Sequence, residues 1–405
     1  MKVDYIALSI PIFFILIGIE LVYSYVKKVQ YYRLNDSISN LSQGIGQQLI
    51  GVFMKTILFF GYTYLYEHAR IFDIPTNIFI WVILFLGVDF LYYWFHRMSH
   101  QVNALWAAHV VHHQSEEYNY TVALRQSWFQ SWFSWIFYLP LAIIGFDPML
   151  FLTLVAFNTL YQFWIHTKMI GQLGWLEYII NTPSHHRVHH GSNPKYIDKN
   201  HGGTLIIWDR LFGTFQKEEE RVYYGITKPL ASWNPVWANF QYWFELILLA
   251  KRMKGLKDTL LVFIKQPGWQ PEYAGGALLP PEIDEATYHK YDEKCSDSLM
   301  AYSFFQFIIA LALGSVQLFM SSKIEFFQNV SLTFFVILTL VSCGAFFERS
   351  RWLRLFELGR LILSWGLLLL FWTTCPLFWK GVFAAIHLIS FIWFLLIINK
   401  IASGE

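Results

Sequence analysis

Histidine is the residue whose placement in this sequence points most directly to chemistry. Ten of the fourteen histidines lie between His96 and His190, and most of them stand three or four residues from another histidine. Such spacings bring side chains onto one face of a helix. Imidazole nitrogen is a common ligand of transition metals. Because scattered surface histidines do not produce repeated clusters, the pattern predicts a large metal site.

The clusters predict nine metal ligands. They are His96, His100, His109, His112, His113, His166, His186, His189 and His190. The fourth histidine of the last cluster, His185, is a candidate for contacting the ligands and not the metal. The other three histidines of that cluster repeat the spacing of the cluster at residues 109–113, so they are the preferred ligands. One catalytic zinc takes about three protein ligands, so we expect two metal ions. Zinc and iron both accept imidazole. The lipid environment described below favours iron, since a pair of irons can activate dioxygen for attack on unactivated C–H bonds.

Other polar residues near the clusters are candidates for supporting roles. Asp89 lies seven residues before His96 on the same helical face, where a carboxylate could orient the imidazole. Asn158, Gln162 and His166 are four residues apart in an apolar stretch. The first two could serve the site or form hydrogen bonds between helices.

Four histidines stand apart from the clusters. His201 lies in a turn-like segment near the last cluster, and we assign it no role. His68, His289 and His387 are single residues, which we expect to be surface or packing histidines.

The composition is that of a polytopic membrane protein. Hydrophobic residues make up 55% of the 405, charged residues 14%, and mean hydropathy is +0.38; soluble domains are about a quarter charged. The net charge of +2 carries no nucleic-acid signal. Cys295, Cys343 and Cys375 are too few and too scattered for a disulfide framework or a thiolate metal site.

Apolar stretches of about twenty residues, the length that crosses a bilayer, predict nine spans. They cover residues 5–26, 45–66, 74–95, 128–145, 148–165, 299–320, 326–347, 356–372 and 377–398. The fourth and fifth are joined by a short turn, so we expect a helical hairpin that returns to the same face of the membrane. Lys and Arg concentrate on the side that carries the histidines, which places the clusters in the cytoplasm.

The order of the motifs resembles the fatty acid hydroxylase/sterol desaturase superfamily of membrane di-iron enzymes. Three segments are similar to the alkylglycerol monooxygenase family within it: residues 89–100 (DFLYYWFHRMSH), 112–127 (HHQSEEYNYTVALRQS) and 181–215 (NTPSHHRVHHGSNPKYIDKNHGGTLIIWDRLFGTF). The resemblance covers roughly residues 75–250 and implies that the clustered histidines bind two irons. This chain has Gln162 where the wider superfamily has a further histidine, and His201 where the family usually has tyrosine.

The resemblance also implies an activity. It is the oxygen-dependent hydroxylation of the carbon next to the ether oxygen of a 1-alkylglycerol lipid, after which the hemiacetal falls apart to an aldehyde and a glycerol. In that family the reductant is tetrahydrobiopterin, and relatives take electrons from cytochrome b5 or ferredoxin-like proteins. Nothing in the sequence identifies a pterin pocket. Glu116 and Glu117 follow the second cluster and are candidates for delivering protons to the reaction; a solvated helix cap is the alternative.

We therefore expect an all-α fold, a polytopic membrane helical bundle with a histidine-rich di-metal site at its cytoplasmic face. The expected parts are N-terminal spans (1–74), a catalytic domain (75–250), a cytoplasmic linker (251–298) and a C-terminal bundle (299–405). The membrane would be the endoplasmic reticulum in a eukaryote and the inner membrane in a bacterium. The alternative activity is a sterol, carotenoid or fatty-acyl hydroxylase or desaturase. A metal transporter is more remote, because the histidines cluster at one face instead of along a pathway.

Overall fold

A computed structural model describes residues 5–398, without the side chains of residues 6, 7, 55 and 56. The described chain is helical, and its β-structure is limited to two isolated bridges, which confirms the all-α expectation. The helices are α1 (Tyr5–Lys27), α2 (Leu34–Ala69), α3 (Ile78–Gln101), α4 (Asn103–Ala107), α5 (Val110–His113), α6 (Tyr120–Ala123), α7 (Gln130–Ile144), α8 (Pro148–Trp164), α9 (Pro183–His189), α10 (Ile207–Leu211), α11 (Pro235–Ala250), α12 (Leu256–Ile264), α13 (Asp297–Met320), α14 (Phe326–Phe347), α15 (Leu353–Leu370) and α16 (Leu377–Ile397).

Every expected span coincides with a helix, but fewer helices than expected are long and apolar enough to cross a bilayer. Within the described residues, α1, α3, α13, α14 and α16 meet that requirement, and the bent α2 is a sixth if its two parts form one span. At 1.5 Å per residue, the 15 residues of α7 reach about 22 Å, against about 30 Å of hydrocarbon. The 17 residues of α8 reach about 25 Å. This pair therefore fits a hairpin that enters the membrane and returns.

The hairpin turn is fixed by its sequence. Gly145 has φ +116°, and a Cβ there would lie 2.0 Å from the carbonyl oxygen of Phe72, so this turn requires glycine. Asp147 then caps α8: its Oδ1 accepts hydrogen bonds from the backbone N–H groups of Met149 and Leu150 at 2.8 and 3.0 Å. Pro148 occupies the first helical turn.

The chain forms two compact units. The first contains residues up to 33, 53–230 and 239–290, and the second contains residues 34–52, 231–238 and those from 291 onward. The core of the first unit lies among α3, α7, α8 and the second part of α2, where Leu84, Val88, Leu141 and Leu154 are buried. Between α8 and α11 the backbone is mostly irregular, with α9 and α10 as short helical pieces. The end of α3, the segment of α5 and this irregular region carry the clustered histidines.

The second unit is a bundle of α13 to α16 with the first part of α2. Its core includes Leu49, Phe307, Val336 and Leu340. A polar network lies inside it around Glu357 and Arg360, both of which are buried. The three cysteines are free, as the sequence indicates.

Candidate metal centre

The nine histidines selected from the sequence lie together in two buried groups. The five-histidine group consists of His96, His100, His109, His113 and His189, and the four-histidine group consists of His112, His166, His186 and His190. Within each group, one ring nitrogen of every member lies within 4.8 Å of those of all the others. Two ion-sized sets of nitrogen donors are therefore preformed in the fold.

Short helical pieces bring these side chains together. His96 and His100 are one turn apart near the end of α3, His112 and His113 end α5, and His166 lies just beyond α8. His186 and His189 are on α9, and His190 follows it. Neighbouring helical residues point about 100° apart, so adjacent histidines enter different groups.

The five-histidine group could hold one ion among its ring nitrogens. Four rings form a closed square, with centroid distances of 4.9 Å (His96–His109), 5.0 Å (His109–His113), 4.8 Å (His113–His189) and 4.3 Å (His189–His96). The ring of His100 neighbours all four at 4.8–5.4 Å. His100 is thus the apex of a square pyramid.

The base of this pyramid adjoins the four-histidine group. The rings of His109 and His112 lie 5.6 Å apart, and those of His113 and His190 lie 4.4 Å apart. His189 in turn lies 5.1 Å from His186 of the other group. Three members of the square therefore adjoin the second group, so the two sets of nitrogen donors are direct neighbours.

Backbone carbonyls fix the orientation of four rings. The Nδ1–H groups of His96, His112, His166 and His189 donate to the carbonyl oxygens of His201, Arg125, Gln162 and Lys199 at 2.7–2.9 Å. A carbonyl oxygen can only accept, so Nδ1 carries the proton and Nε2 presents a lone pair in the neutral ring. Such outer contacts are typical of histidines that bind metals.

The lone pairs point at one another across short gaps. The Nε2 atoms of His166 and His186 are 3.0 Å apart, and those of His166 and His112 are 3.2 Å apart. In the other group, Nε2 of His109 lies 3.1 Å from that of His96 and 3.2 Å from that of His113. Two nitrogens bound at right angles to one ion through 2.0–2.1 Å bonds are about 3 Å apart. The donor set therefore fits transition-metal ions.

Burial keeps these imidazoles in the neutral form that binds metal. It lowers the pKa of His109 and of His166 to about 4. Burial, followed by the neighbouring histidines, lowers the pKa well below its ordinary value in the remaining ligands beyond α3, which are His112, His113, His186, His189 and His190. No proton then competes for the Nε2 lone pairs at neutral pH.

The expected direct contact between Asp89 and His96 is wrong. The Asp89 carboxylate accepts hydrogen bonds from the backbone N–H groups of Thr204 and Leu205 at 2.7 and 3.1 Å and from the Trp208 indole at 2.9 Å. It holds the segment that follows His201, whose carbonyl in turn orients His96. A carboxylate on the same helical face is too short to reach a ring two turns away.

Gln162 and Asn158 form hydrogen bonds between helices. Gln162 Oε1 accepts from the Tyr92 hydroxyl at 2.6 Å, and its Nε2 donates to Asn158 Oδ1 at 2.7 Å. Asn158 Nδ2 donates to Asp89 at 2.7 Å. Both polar atoms of the Gln162 side chain are therefore occupied, and only its backbone carbonyl serves the site, through His166.

The other histidines lie outside the two groups. His185 faces Glu177, with Nε2 3.9 Å from its carboxylate. His201 is fully buried, with its ring centroid 5.1 Å from that of His100. His68 and His289 are exposed, and His387 contacts Ser364 in the second unit.

Glu116 and Glu117 are buried in a cluster of cations. Glu117 Oε1 accepts from Lys290 at 2.6 Å and from Arg33 at 2.8 Å, and Lys168 lies 3.9 Å away. Glu116 lies 3.6 Å from Arg33. The alternative of a solvated helix cap is wrong for both residues, because both are buried.

Sequence reasoning missed the loop of residues 198–201, which supports three members of the five-histidine group. Asp198 Oδ1 lies 3.4 Å from Nδ1 of His100, and the carbonyls of Lys199 and His201 accept from His189 and His96. The loop contains two residues with positive φ, Asp198 (+57°) and Asn200 (+56°). Main-chain acceptors leave no signal in residue type, so only the Asp-Lys-Asn turn pattern could have pointed to them.

Comparison with known proteins shows the family of the chain. Residues 81–214 match the fatty acid hydroxylase family model. The chain is 42% identical over 364 residues to an alkylglycerol monooxygenase of Xenopus tropicalis, an alignment that covers 89% of this chain and 81% of the relative. The chain belongs to the alkylglycerol monooxygenase family. The human alkylglycerol monooxygenase is 41% identical over 345 residues, which cover 84% of this chain and 77% of that protein.

A more distant relative lies in another branch. A Delta(7)-sterol 5(6)-desaturase of Schizosaccharomyces pombe is 27% identical over 180 residues, which cover 43% of this chain and 58% of that protein. No solved structure matches the chain. Membership of the alkylglycerol monooxygenase family makes the protein a monooxygenase, an oxidoreductase that uses dioxygen, and its several apolar helices make it a multi-pass membrane protein.

Proposed function

We propose that this protein cleaves the ether bond of a 1-alkylglycerol lipid by hydroxylating the carbon next to the ether oxygen. One atom of dioxygen enters the C–H bond, and the other leaves as water with two electrons and two protons from a reductant. The resulting hemiacetal collapses to a fatty aldehyde and a glycerol. The observation that carries the proposal is the pair of facing histidine groups in a chain of this family.

We propose that each group holds one iron ion. The support is the two separate donor sets, their Nε2 separations of 3.0–3.2 Å and their neutral imidazoles. Bound iron would supply the activation of dioxygen. The chain contributes the orientation of the rings, through the backbone carbonyls that receive their Nδ1 protons, and the exclusion of water from the surrounding core.

Glu116 is our candidate for carrying protons between solvent and the centre, and Glu117 for holding the cations beside it. Glu117 forms ion pairs with Lys290 and Arg33, which hold these cations in place. Replacing Glu116 with Gln should then slow turnover without changing metal content. A Glu116→Gln variant with parental turnover would remove this role.

We propose that the centre opens on the cytoplasmic side, at the level of the lipid headgroups. The support is the concentration of Lys and Arg on the side of the histidine clusters. A lipid held there by its glycerol presents the carbons nearest the ether oxygen, not those at the chain end. A cysteine at the exposed Lys228, in a chain with its three native cysteines replaced by serine, should react with an impermeant maleimide only from the cytoplasm. Labelling from the other side would reverse the orientation.

The reductant is proposed to be tetrahydrobiopterin. Membranes containing the protein can be supplied with a 1-O-alkylglycerol, oxygen and either the pterin or a generic electron donor. Aldehyde formed only with the pterin supports the whole proposal, and aldehyde with another donor keeps the substrate but removes the pterin. Hydroxylated sterol or acyl chain in the absence of aldehyde would replace the proposal with the alternative activity.

A further inference from the structure

The first unit contains a cavity of about 380 Å³ that the proposed reaction does not yet use. Three tyrosines, four cations and one carboxylate contribute to its lining: Tyr223, Tyr224, Tyr288, Lys168, Arg187, Arg221, Lys290 and Glu218. Val222 is the single aliphatic residue in this lining. A wall of this kind does not suit an alkyl chain, so the cavity is unlike a lipid tunnel.

A stack of aromatic rings connects the cavity with the four-histidine group. Tyr224 lies parallel to Tyr118, with centroids 4.9 Å apart and an angle of 13° between the rings. Tyr118 stacks on His166 at 5.8 Å and meets His190 edge-on at 5.4 Å. Tyr118 is fully buried. A single side chain therefore separates the cavity wall from two members of the group.

The same backbone segments that carry the ligands also hold this stack. Tyr224 forms an isolated antiparallel bridge with Gly191, the residue after His190. The Tyr118 hydroxyl donates to the carbonyl of Ile165, the residue before His166, at 3.0 Å. The distance from the cavity to the group is thus fixed by the chain and does not depend on a mobile loop.

The cations are arranged around the tyrosine faces. Lys168 Nζ lies 5.5 Å from the centroid of Tyr224, and the Arg221 guanidinium lies 5.4 Å from that of Tyr223. The Tyr223 and Tyr288 rings are 5.0 Å apart. The cavity thus offers aromatic side chains beside charged groups of both signs, which suits a polar planar ligand.

We propose that this cavity binds the reductant, a small reduced nitrogen heterocycle of the tetrahydropterin class, and that Tyr224 and Tyr118 conduct its electrons to the four-histidine group. The proposal rests on the proposed function, because a monooxygenase needs two electrons and two protons for the oxygen atom that becomes water. The heterocycle loses these two electrons and two protons and leaves in its oxidised form. The volume of the cavity is at the small end of the range for ligand pockets, which is about 300 to 1,000 Å³. The cavity therefore suits a small molecule better than a protein donor.

The test compares Tyr224→Leu with Tyr224→Phe, which keeps the ring and its stack on Tyr118. Iron-loaded full-length protein in detergent is mixed without oxygen or lipid with tetrahydrobiopterin, and the loss of ferric absorbance is followed. Tyr224→Leu should raise the half-saturating pterin concentration by about tenfold and slow the reduction, whereas Tyr224→Phe should match the parent. Dithionite, which needs no site, should reduce all three proteins at one rate, and their metal contents should be equal. Lys228→Ala, at an exposed lysine outside the cavity lining, is the charge control.

Equal pterin kinetics in Tyr224→Leu and the parent would overturn the proposal. It would also be overturned if dithionite reduced Tyr224→Leu more slowly than the parent by the same factor as the pterin does. Reduction of the parent by a ferredoxin-like protein but not by the pterin would also overturn it. Failure of the proposed function has a different signature, namely normal anaerobic reduction by pterin with no aldehyde from the alkylglycerol.

Discussion

The metal centre and the Glu357–Arg360 network of the C-terminal bundle both bury polar side chains, but they satisfy them in opposite ways. In the bundle, the three guanidinium nitrogens of Arg360 donate to Glu357, Gln306 and Thr339, and Glu357 also accepts from Tyr302. In the centre, the Nε2 atoms of His100, His189 and His190 are buried without a hydrogen-bond partner among the described residues. An unpaired buried polar group costs about 1–3 kcal/mol. In a network whose donors and acceptors are all paired, the hydrogen bonds offset the cost of burial. Buried lone pairs without a partner indicate instead that the site binds a ligand.

The difference separates two uses of polarity in a membrane protein. Intramembrane ionisable residues are usually taken as functional sites, yet the Glu357–Arg360 pair leaves no guanidinium nitrogen for a ligand. It contributes to the packing of α13, α14 and α15 and not to chemistry. Variants in the two regions should therefore separate stability from metal binding.

The largest effect is expected at the ligands. Replacing His113 or His189 with Ala should abolish activity and reduce bound metal, because each removes a corner of the square in the five-histidine group. The protein should still insert, since these residues lie outside the apolar spans. Aldehyde release and metal per chain measure the outcome.

The control variants for the ligands are His68→Ala and His387→Ala, which should keep most activity. An inactive control, or an active His113→Ala, would show that the open cluster is not the centre.

The second effect should appear in the bundle. Removing one partner of a buried ion pair costs about 3–5 kcal/mol, so Arg360→Ala should strongly lower the stability of the protein in detergent. Replacing both partners, with Glu357→Gln and Arg360→Met, should recover most of that loss. Denaturant unfolding gives the stability, and metal content of the folded protein should not change. Loss of metal at parental stability would mean that the closed network serves the centre after all.

A smaller effect is expected one contact away from the metal. His109 Nδ1 lies 2.9 Å from Oε1 of Gln130 at the start of α7. Losing such an outer contact typically weakens metal affinity by about 10–100-fold, so Gln130→Ala should require that much more free metal for half-saturation. Ser131→Ala, at the exposed neighbouring position, is the matched control. Equal affinities in the two variants would remove the orienting role of Gln130.

The helices could be predicted closely from the sequence because the bilayer demands long apolar segments. The stretch expected at residues 299–320 is α13 (Asp297–Met320), and that at 326–347 is α14 (Phe326–Phe347). Eight of the histidines were selected by their spacing from one another and His166 by its spacing from the polar residues Asn158 and Gln162, and the structure gathers all nine. Their division into groups of five and four could not be predicted, because it depends on where α5 and α9 sit relative to α3.

The hydrogen bonds that orient the ligand rings could not be predicted from the sequence either. Asp89 carries the signal of a carboxylate near His96, but it binds a turn instead. The atoms that orient His96 and His189 are backbone carbonyls of His201 and Lys199, which every residue type possesses. Only the folded path of the chain, with its positive φ at Asn200, brings them to the rings.

The smallest effect is expected at Gln162. The resemblance to the superfamily favours a metal ligand at this position, whereas in the structure both polar atoms of the side chain are hydrogen-bonded within the protein. Its side chain is hydrogen-bonded to Tyr92 and Asn158. Like Arg360, it is therefore a polar residue that stabilises the packing of helices, although it lies one turn from His166. Gln162→Met should remove the hydrogen-bond partner of the Tyr92 hydroxyl and of Asn158 Oδ1 and cost about 1–3 kcal/mol of stability. Metal content should stay parental, because the backbone carbonyl that orients His166 is retained. Tyr92→Phe, which removes only the hydroxyl of that contact, should reproduce part of the stability loss. If Gln162→Met instead lost one metal at parental stability, Gln162 would be a tenth ligand, and a closed hydrogen-bond pattern would no longer exclude a place in the centre.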